Sequence, residues 1–154
     1  MQPPIYRSAE LRPHWLICSA MLAMLAAYNV FCHFWADAYR LNVDESQRVV
    51  IRTVFYVLAI IVFPLTNLMR HILLRLNQTM PGEKSAADRY LLTIVITQSM
   101  IEVIALFGPI MFILGDDFNT LYIFSVLGTL GAVLHRPKPD EYLSIVESLS
   151  RGRD

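Results

Sequence analysis

The sequence predicts an all-α integral membrane protein: a four-helix transmembrane bundle followed by a short amphipathic C-terminal helix. Three observations lead there. Hydrophobic residues make up 55% of 154 and charged residues only 17%, and the mean hydropathy is +0.46, well away from ordinary soluble domains. Pro13–Ala36 and Phe118–His135 contain no Asp, Glu, Lys or Arg, Tyr90–Gly115 contains only Glu102, and Val49–Met69 contains only Arg52. Each of these stretches is long enough to cross about 30 Å of hydrocarbon at about 1.5 Å per residue. Finally, the basic residues alternate in side along the chain, as the loops of a multi-pass protein do.

The expected organisation is an N-terminal segment over 1–14, a transmembrane domain over 15–136 with spans near 15–36, 49–69, 90–114 and 118–135, and a tail over 137–154. Arg7 and Arg12 precede the first span, Arg70, Arg75, Lys84 and Arg89 lie between the second and third, and Arg136, Lys138, Arg151 and Arg153 follow the fourth. The opposite loops hold Arg40 and Arg48, with Asp116 and Asp117 in the short turn. The positive-inside rule then puts both termini and the second loop in the cytoplasm, and the expected location is a bacterial inner membrane.

Taken in order, the first helix is expected to start at Trp15, after Pro3, Pro4 and Pro13, and to end near Trp35; indole rings favour the two interfaces. Its apolar run exceeds that of a signal peptide and no cleavage pattern follows, so it is expected to remain in the mature chain. Cys18 and Cys32 lie about 21 Å apart along one helix axis and cannot bridge each other.

Asp44, Glu45 or Ser46 is expected to cap the second helix, and Pro64 interrupts its hydrogen bonding near the inner end, beyond which the helix is expected to continue to about Leu76. Ser85 and Asp88 form a capping pair for the third helix. Pro137 and Pro139 end the fourth. Tyr142, Ile145, Val146 and Leu149 then recur at helical spacing, with Asp140 as N-cap, and predict the amphipathic tail helix, which is expected to lie in the headgroup layer or against a partner.

Glu102 is the residue that asks for a function. A charged residue at mid-membrane costs roughly 2.5–3.5 kcal/mol on insertion scales, so an acid there is a functional-site candidate by default. Gln98 stands one turn before it and Ser99 at i−3, and these three form the candidate ion-binding set. In the fourth helix Ser125, Gly128, Gly131 and Ala132 recur at three- and four-residue spacing, the pattern that lets membrane helices approach closely, and are expected to pack the third and fourth helices together. Arg52 lies about 13–15 Å from the depth of Glu102, so it is expected to snorkel outward or to pair with Asp37, Asp116 or Asp117.

Glu102-Val-Ile-Ala105-Leu-Phe107-Gly108 and the apolar residues after it resemble the ion-carrying helix of the proteolipid (c-type) subunits of rotary ATP synthases. The resemblance covers this helix alone and implies an ion-binding carboxylate at Glu102. It does not extend to the glycine-rich companion helix of that family, since Val57–Pro64 contains no glycine, and Pro109 directly follows Gly108.

No phosphate-binding glycine loop, nucleophile elbow or zinc spacing occurs, and the basic residues form no nucleic-acid stripe. His14, His71 and His135 map to one end of the bundle, without a pair at metal-ligating spacing. The chain is therefore expected to have no catalytic residue, cofactor or metal. Its expected partners are the lipid bilayer and either another membrane protein or further copies of itself, and it is expected to bind no nucleic acid. Two functions are open: a non-catalytic structural or assembly subunit of a membrane complex, or proton or cation handling through Glu102.

Overall fold

The computed structural model describes residues 10–151. Among these the chain forms five α-helices, α1 (Arg12–Phe34), α2 (Glu45–Thr79), α3 (Ala86–Ile113), α4 (Phe118–Leu134) and α5 (Pro139–Arg151), with a 3-10 turn at Ala36–Tyr39 after α1. α1, α2 and α3 are each long and apolar enough to cross a membrane; α4 becomes a fourth only if joined with α5, from which it is bent by 41°.

α1 starts three residues before the expected Trp15, because Pro13 falls in its first turn, where the missing N–H has no partner to lose. It also stops at Phe34, and Trp35 leaves the helix. Asp44 takes the N-cap position of α2 but forms no side-chain cap bond. α3 starts at Ala86, where the predicted cap places it and four residues before the apolar span that begins at Tyr90, and that cap is made: Ser85 Oγ accepts from the Asp88 N–H at 3.2 Å. α4 has a cap the sequence reading passed over, with Asp117 Oδ1 accepting from the Thr120 N–H at 3.1 Å. α5 opens at Pro139, so Asp140 lies within its first turn and is not its cap.

α3 is the centre of the molecule. It packs against α1, α2, α4 and α5, and 56% of its most apolar window is buried, against 11% in α1 and in α2. A helix that is apolar all round is stable only when surrounded, and the sequence of α3 has little amphipathicity to prefer one face. α4 lies closest to it. A Cβ on Gly128 would sit 2.7 Å from Ala105 Cβ and 2.8 Å from Leu25 Cδ1, and one on Gly131 would sit 2.6 Å from Ile101 Cδ1. The small residues thus bring backbone to backbone, and van der Waals contact takes the place of the hydrophobic drive that lipid cannot supply. Phe107 and Phe124 meet edge to face at 5.7 Å, while Phe55 and Tyr56 of α2 stack on them from the other side at 4.4 and 5.1 Å.

α2 runs for 35 residues, about 52 Å, and so outreaches any bilayer core. It continues past the expected Leu76 to Thr79 because its last turns are covered. Arg89 of α3 is buried and donates to the carbonyls of Asn77 at 3.2 Å and Met80 at 2.6 Å, taking up acceptors that a helix end leaves free. Asn77 in turn donates to Thr93 Oγ1 at 2.8 Å.

α5 folds back onto this extension. Tyr142 and Ile145 are buried in one cluster with Leu11, Tyr90 and Ile94, whereas Val146 faces outward. The tail helix thus packs against the chain's own α2 and α3, a setting different from both the headgroup layer and the partner expected from sequence.

Candidate functional site

Glu102 sits on the face of α3 that meets α1 and α4, and only 8% of it is exposed. Among the described residues its Oε1 has no hydrogen-bond partner. Tyr28 of α1 is its polar neighbour. Tyr28 was not among the sequence candidates. Its only signal is a tyrosine in the middle of an apolar helix, away from the interfaces where such rings collect.

Gln98 is fully buried and is spent on packing. Its Nε2 donates to the carbonyls of Ala132 at 3.1 Å and His135 at 3.3 Å, which are orphan acceptors at the end of α4. Cys18 Sγ lies 3.5 Å from the same nitrogen, while Gln98 Oε1 has no donor among the described residues. Ser99 is exposed, beside that buried face of α3. The predicted trio is therefore split: Glu102 and Gln98 share one buried face, one turn apart, and Ser99 stands outside it.

The small residues of α4 divide in the same way. Gly128, Gly131 and Ala132 are buried against α3 and its neighbours, but Ser125 turns toward α1, where Asn29 Nδ2 donates to its Oγ at 2.9 Å. Asn29 also donates to the Leu25 carbonyl at 2.9 Å. One turn outward, His33 Nε2 and the Tyr122 hydroxyl are 2.8 Å apart. These two polar bridges tie α1 to α4. Beside them runs an open groove of about 540 Å³, lined by Asn29, Tyr122, Ser125, Thr129, Leu130 and Val133.

Both ends of the bundle hold ion pairs with at least one buried partner. At one, Arg52 Nη1 reaches Asp116 Oδ1 at 3.0 Å, one of the pairings expected from sequence, and Arg40 Nη2 donates to the Asp116 carbonyl at 2.6 Å. Arg48 donates to the Gly115 carbonyl, and Gly115 adopts a φ of +102°, where a side chain would also press on the Leu41 carbonyl.

At the other end Arg70 is 4% exposed and grips Glu141 of α5 with two bonds, Nη2 to Oε2 at 2.6 Å and Nε to Oε1 at 3.2 Å. Its remaining donors go to the carbonyls of His135 at 2.7 Å and Arg136 at 3.0 Å. The Tyr90 hydroxyl donates to Glu141 at 2.9 Å and accepts from the Lys138 N–H at 2.8 Å. Arg70 was counted from sequence only as a topology signal. Here it locks three segments together with fork geometry suited to a carboxylate.

The histidines at this end do not converge. His14 Nε2 lies 3.1 Å from the Ala87 carbonyl and His135 Nδ1 lies 2.9 Å from the Gly131 carbonyl, while His71 is exposed. Among the described residues no group of three or more His, Cys, Asp or Glu is placed to hold a metal ion. Cys18 and Cys32 are both buried and free.

Fold and site together define an all-helical protein with three to four helices fit to span a membrane and one buried mid-helix acid. Comparison with protein-family models, with curated proteins and with solved structures gives no match.

Proposed function

We propose that the chain is a four-span protein of a bacterial inner membrane, with both termini cytoplasmic, and that it serves as a non-catalytic structural or assembly subunit of a membrane complex. The observation that carries this reading is the groove between α1 and α4. Asn29, Ser125 and Thr129 open at mid-helix onto a surface whose other residues, among them Val126, Leu130 and Val133, are apolar and exposed. Polar groups facing outward at that depth suit a neighbouring helix better than lipid chains. Ser19, Ala23 and Ala27 also lie exposed along α1 at four-residue spacing, which favours close approach of another helix.

Two further points support the topology. α4 has 17 residues, at the short end of the range for a span. The end of the bundle that holds α5 and the α2–α3 loop is also the basic one. The complex is tested by the mass of protein extracted in a mild detergent. A mass above that of a monomer plus detergent, returned to monomer by Val126→Trp in the groove, is the expected outcome. A stable monomer with no co-purifying chain would sink the proposal.

A second reading is favoured by one specific observation, the partnerless and buried Oε1 of Glu102 beside Tyr28. It is proton or cation handling at Glu102, as the resemblance to c-type subunits implies, with Gln98 as its buried neighbour. Labelling with dicyclohexylcarbodiimide checks it: Glu102 should react and be protected by the transported cation. No reaction at any pH, together with full fitness of Glu102→Gln, would remove this reading.

A further inference from the structure

The loop between α2 and α3 encloses a cavity of about 680 Å³, separate from the α1–α4 groove and from Glu102. Its chemistry changes along one direction. Lys84, Glu83, Asp88 and Arg89 stand at the loop end, while Leu92 and Val95 continue down α3 and are exposed at 51% and 37%. From Arg89 to Val95 is six residues, a drop of about 9 Å along the helix, comparable to the step from the headgroup layer into the upper hydrocarbon.

Arg89 is the informative residue. It is 7% exposed, and its guanidinium donates only to carbonyls, those of Lys84, Asn77, Met80 and Gly82, at 2.6 to 3.2 Å. Among the described residues no carboxylate lies within ion-pair distance of Arg89 or of Lys84. Carbonyl dipoles satisfy the N–H groups of Arg89 and offset part of its charge, but no carboxylate neutralises it at the wall of the cavity. The other buried arginine, Arg70, has Glu141. The N-terminus of α3 adds its partial positive charge to the same place. Asp88 is occupied in part by the Ser85 hydroxyl at 2.7 Å, and Glu83 is exposed at the rim.

We infer that this cavity binds a glycerophospholipid with a primary-amine headgroup. The phosphate lies against Lys84 and Arg89, which no carboxylate pairs, the ammonium faces Glu83 and Asp88, and an acyl chain runs along Leu92 and Val95. Two cations and two acids around the polar end match a zwitterion better than a purely anionic head, and the N–H donors of a primary ammonium, which a quaternary one lacks, suit the two carboxylates. The graded wall, polar at the loop and apolar toward the span, matches a molecule with a tail better than a free phosphate, which would leave its apolar part unused. The inference goes beyond the subunit reading, and no group of the α1–α4 groove enters it.

The test is native mass spectrometry of the full chain released from detergent micelles doped with dioleoyl phosphatidylethanolamine, phosphatidylcholine or phosphatidylglycerol. Lys84→Glu and Leu92→Glu change exposed side chains, and thermal melting in detergent identifies folded protein before lipid is added. Wild type is expected to retain one phosphatidylethanolamine, with at least about tenfold weaker retention in each variant and of each other lipid. Equal retention by wild type and folded variants would overturn the site. Equal retention of all three lipids would overturn the amine assignment. Displacement of the lipid by millimolar inorganic phosphate would overturn the lipid in favour of a small anion.

Discussion

At the scale of single residues, the polar side chains buried in this protein are used mainly to close helix ends and to tie one helix to another. Gln98 serves the end of α4, Arg89 the end of α2, and Arg70 the turn between α4 and α5. The Arg70–Glu141 pair gives the sharpest expectation. Arg70→Met leaves the Glu141 carboxylate against the phenol of Tyr90 with only the half-exposed Lys138 ammonium, 3.7 Å from Oε1, as counter-ion, and should cost about 3 kcal/mol in thermal or denaturant unfolding. Adding Glu141→Leu to that variant should recover most of the loss, because removing both charges also removes both desolvation penalties. A double variant no more stable than the single one would show that the pair is not coupled. Gln98 and Glu102 illustrate what a one-dimensional reading can reach. Their i, i+4 spacing put them on one face, which was legible, whereas Ser99 at i−3 was equally close in sequence and lies on the exposed side, because only the packing partners fix the rotation of a helix.

At the scale of elements, α3 and α4 form the tightest contact, and glycine sets it. Gly128→Ala would bring a methyl group onto Ala105 Cβ, which is fixed to backbone and cannot swing aside, so a destabilisation of about 1–3 kcal/mol is expected. Gly131→Ala meets Cδ1, Cγ2 and Cγ1 of Ile101 at 2.6 to 3.1 Å, a β-branched side chain with little freedom at χ1, and should cost a similar amount; the melting temperatures of the two variants in one detergent check this. α5 has its own signature in pH. Burial, with the Glu10 carboxylate 2.6 Å from its hydroxyl, pushes the Tyr142 phenol up to about 12, against about 10 for an exposed phenol. The folded state then holds its proton more tightly than the unfolded one. The contribution of Tyr142 is therefore complete below about pH 10 and is lost as pH rises through 12. The phenolate absorbance of Tyr142 should appear late in an alkaline titration, and Tyr142→Phe should remove that late component. α5 was legible as an amphipathic pattern. Its docking was not, since that depends on Arg70 and Tyr90, which lie some 50 to 70 residues upstream of Glu141.

For the molecule as a whole, one end gathers Arg70, Arg89, Lys138 and α5, and the other carries Arg40, Arg48 and Arg52 around the Gly115–Asp116 turn. Under the proposed orientation a cysteine at Asn42 should react with a membrane-impermeant maleimide added to intact cells, and one at Glu83 should react only after lysis; Cys18 and Cys32 are buried and give little background. The reverse pattern would invert the topology. The sequence by itself determined the helical class, the approximate helix bounds, the Ser85 cap and the mid-helix position of Glu102, because hydrophobic run length and capping chemistry are local and each helix satisfies most of its backbone polar groups within itself. Only the tertiary structure decided that α3 is the central helix, that Arg52 pairs with Asp116, that Gln98 closes α4, and that Tyr28 is the neighbour of Glu102. Those facts depend on helix rotation and on contacts between residues far apart in the chain, and apolar helices with almost no amphipathic bias carry no local signal of which face will be covered.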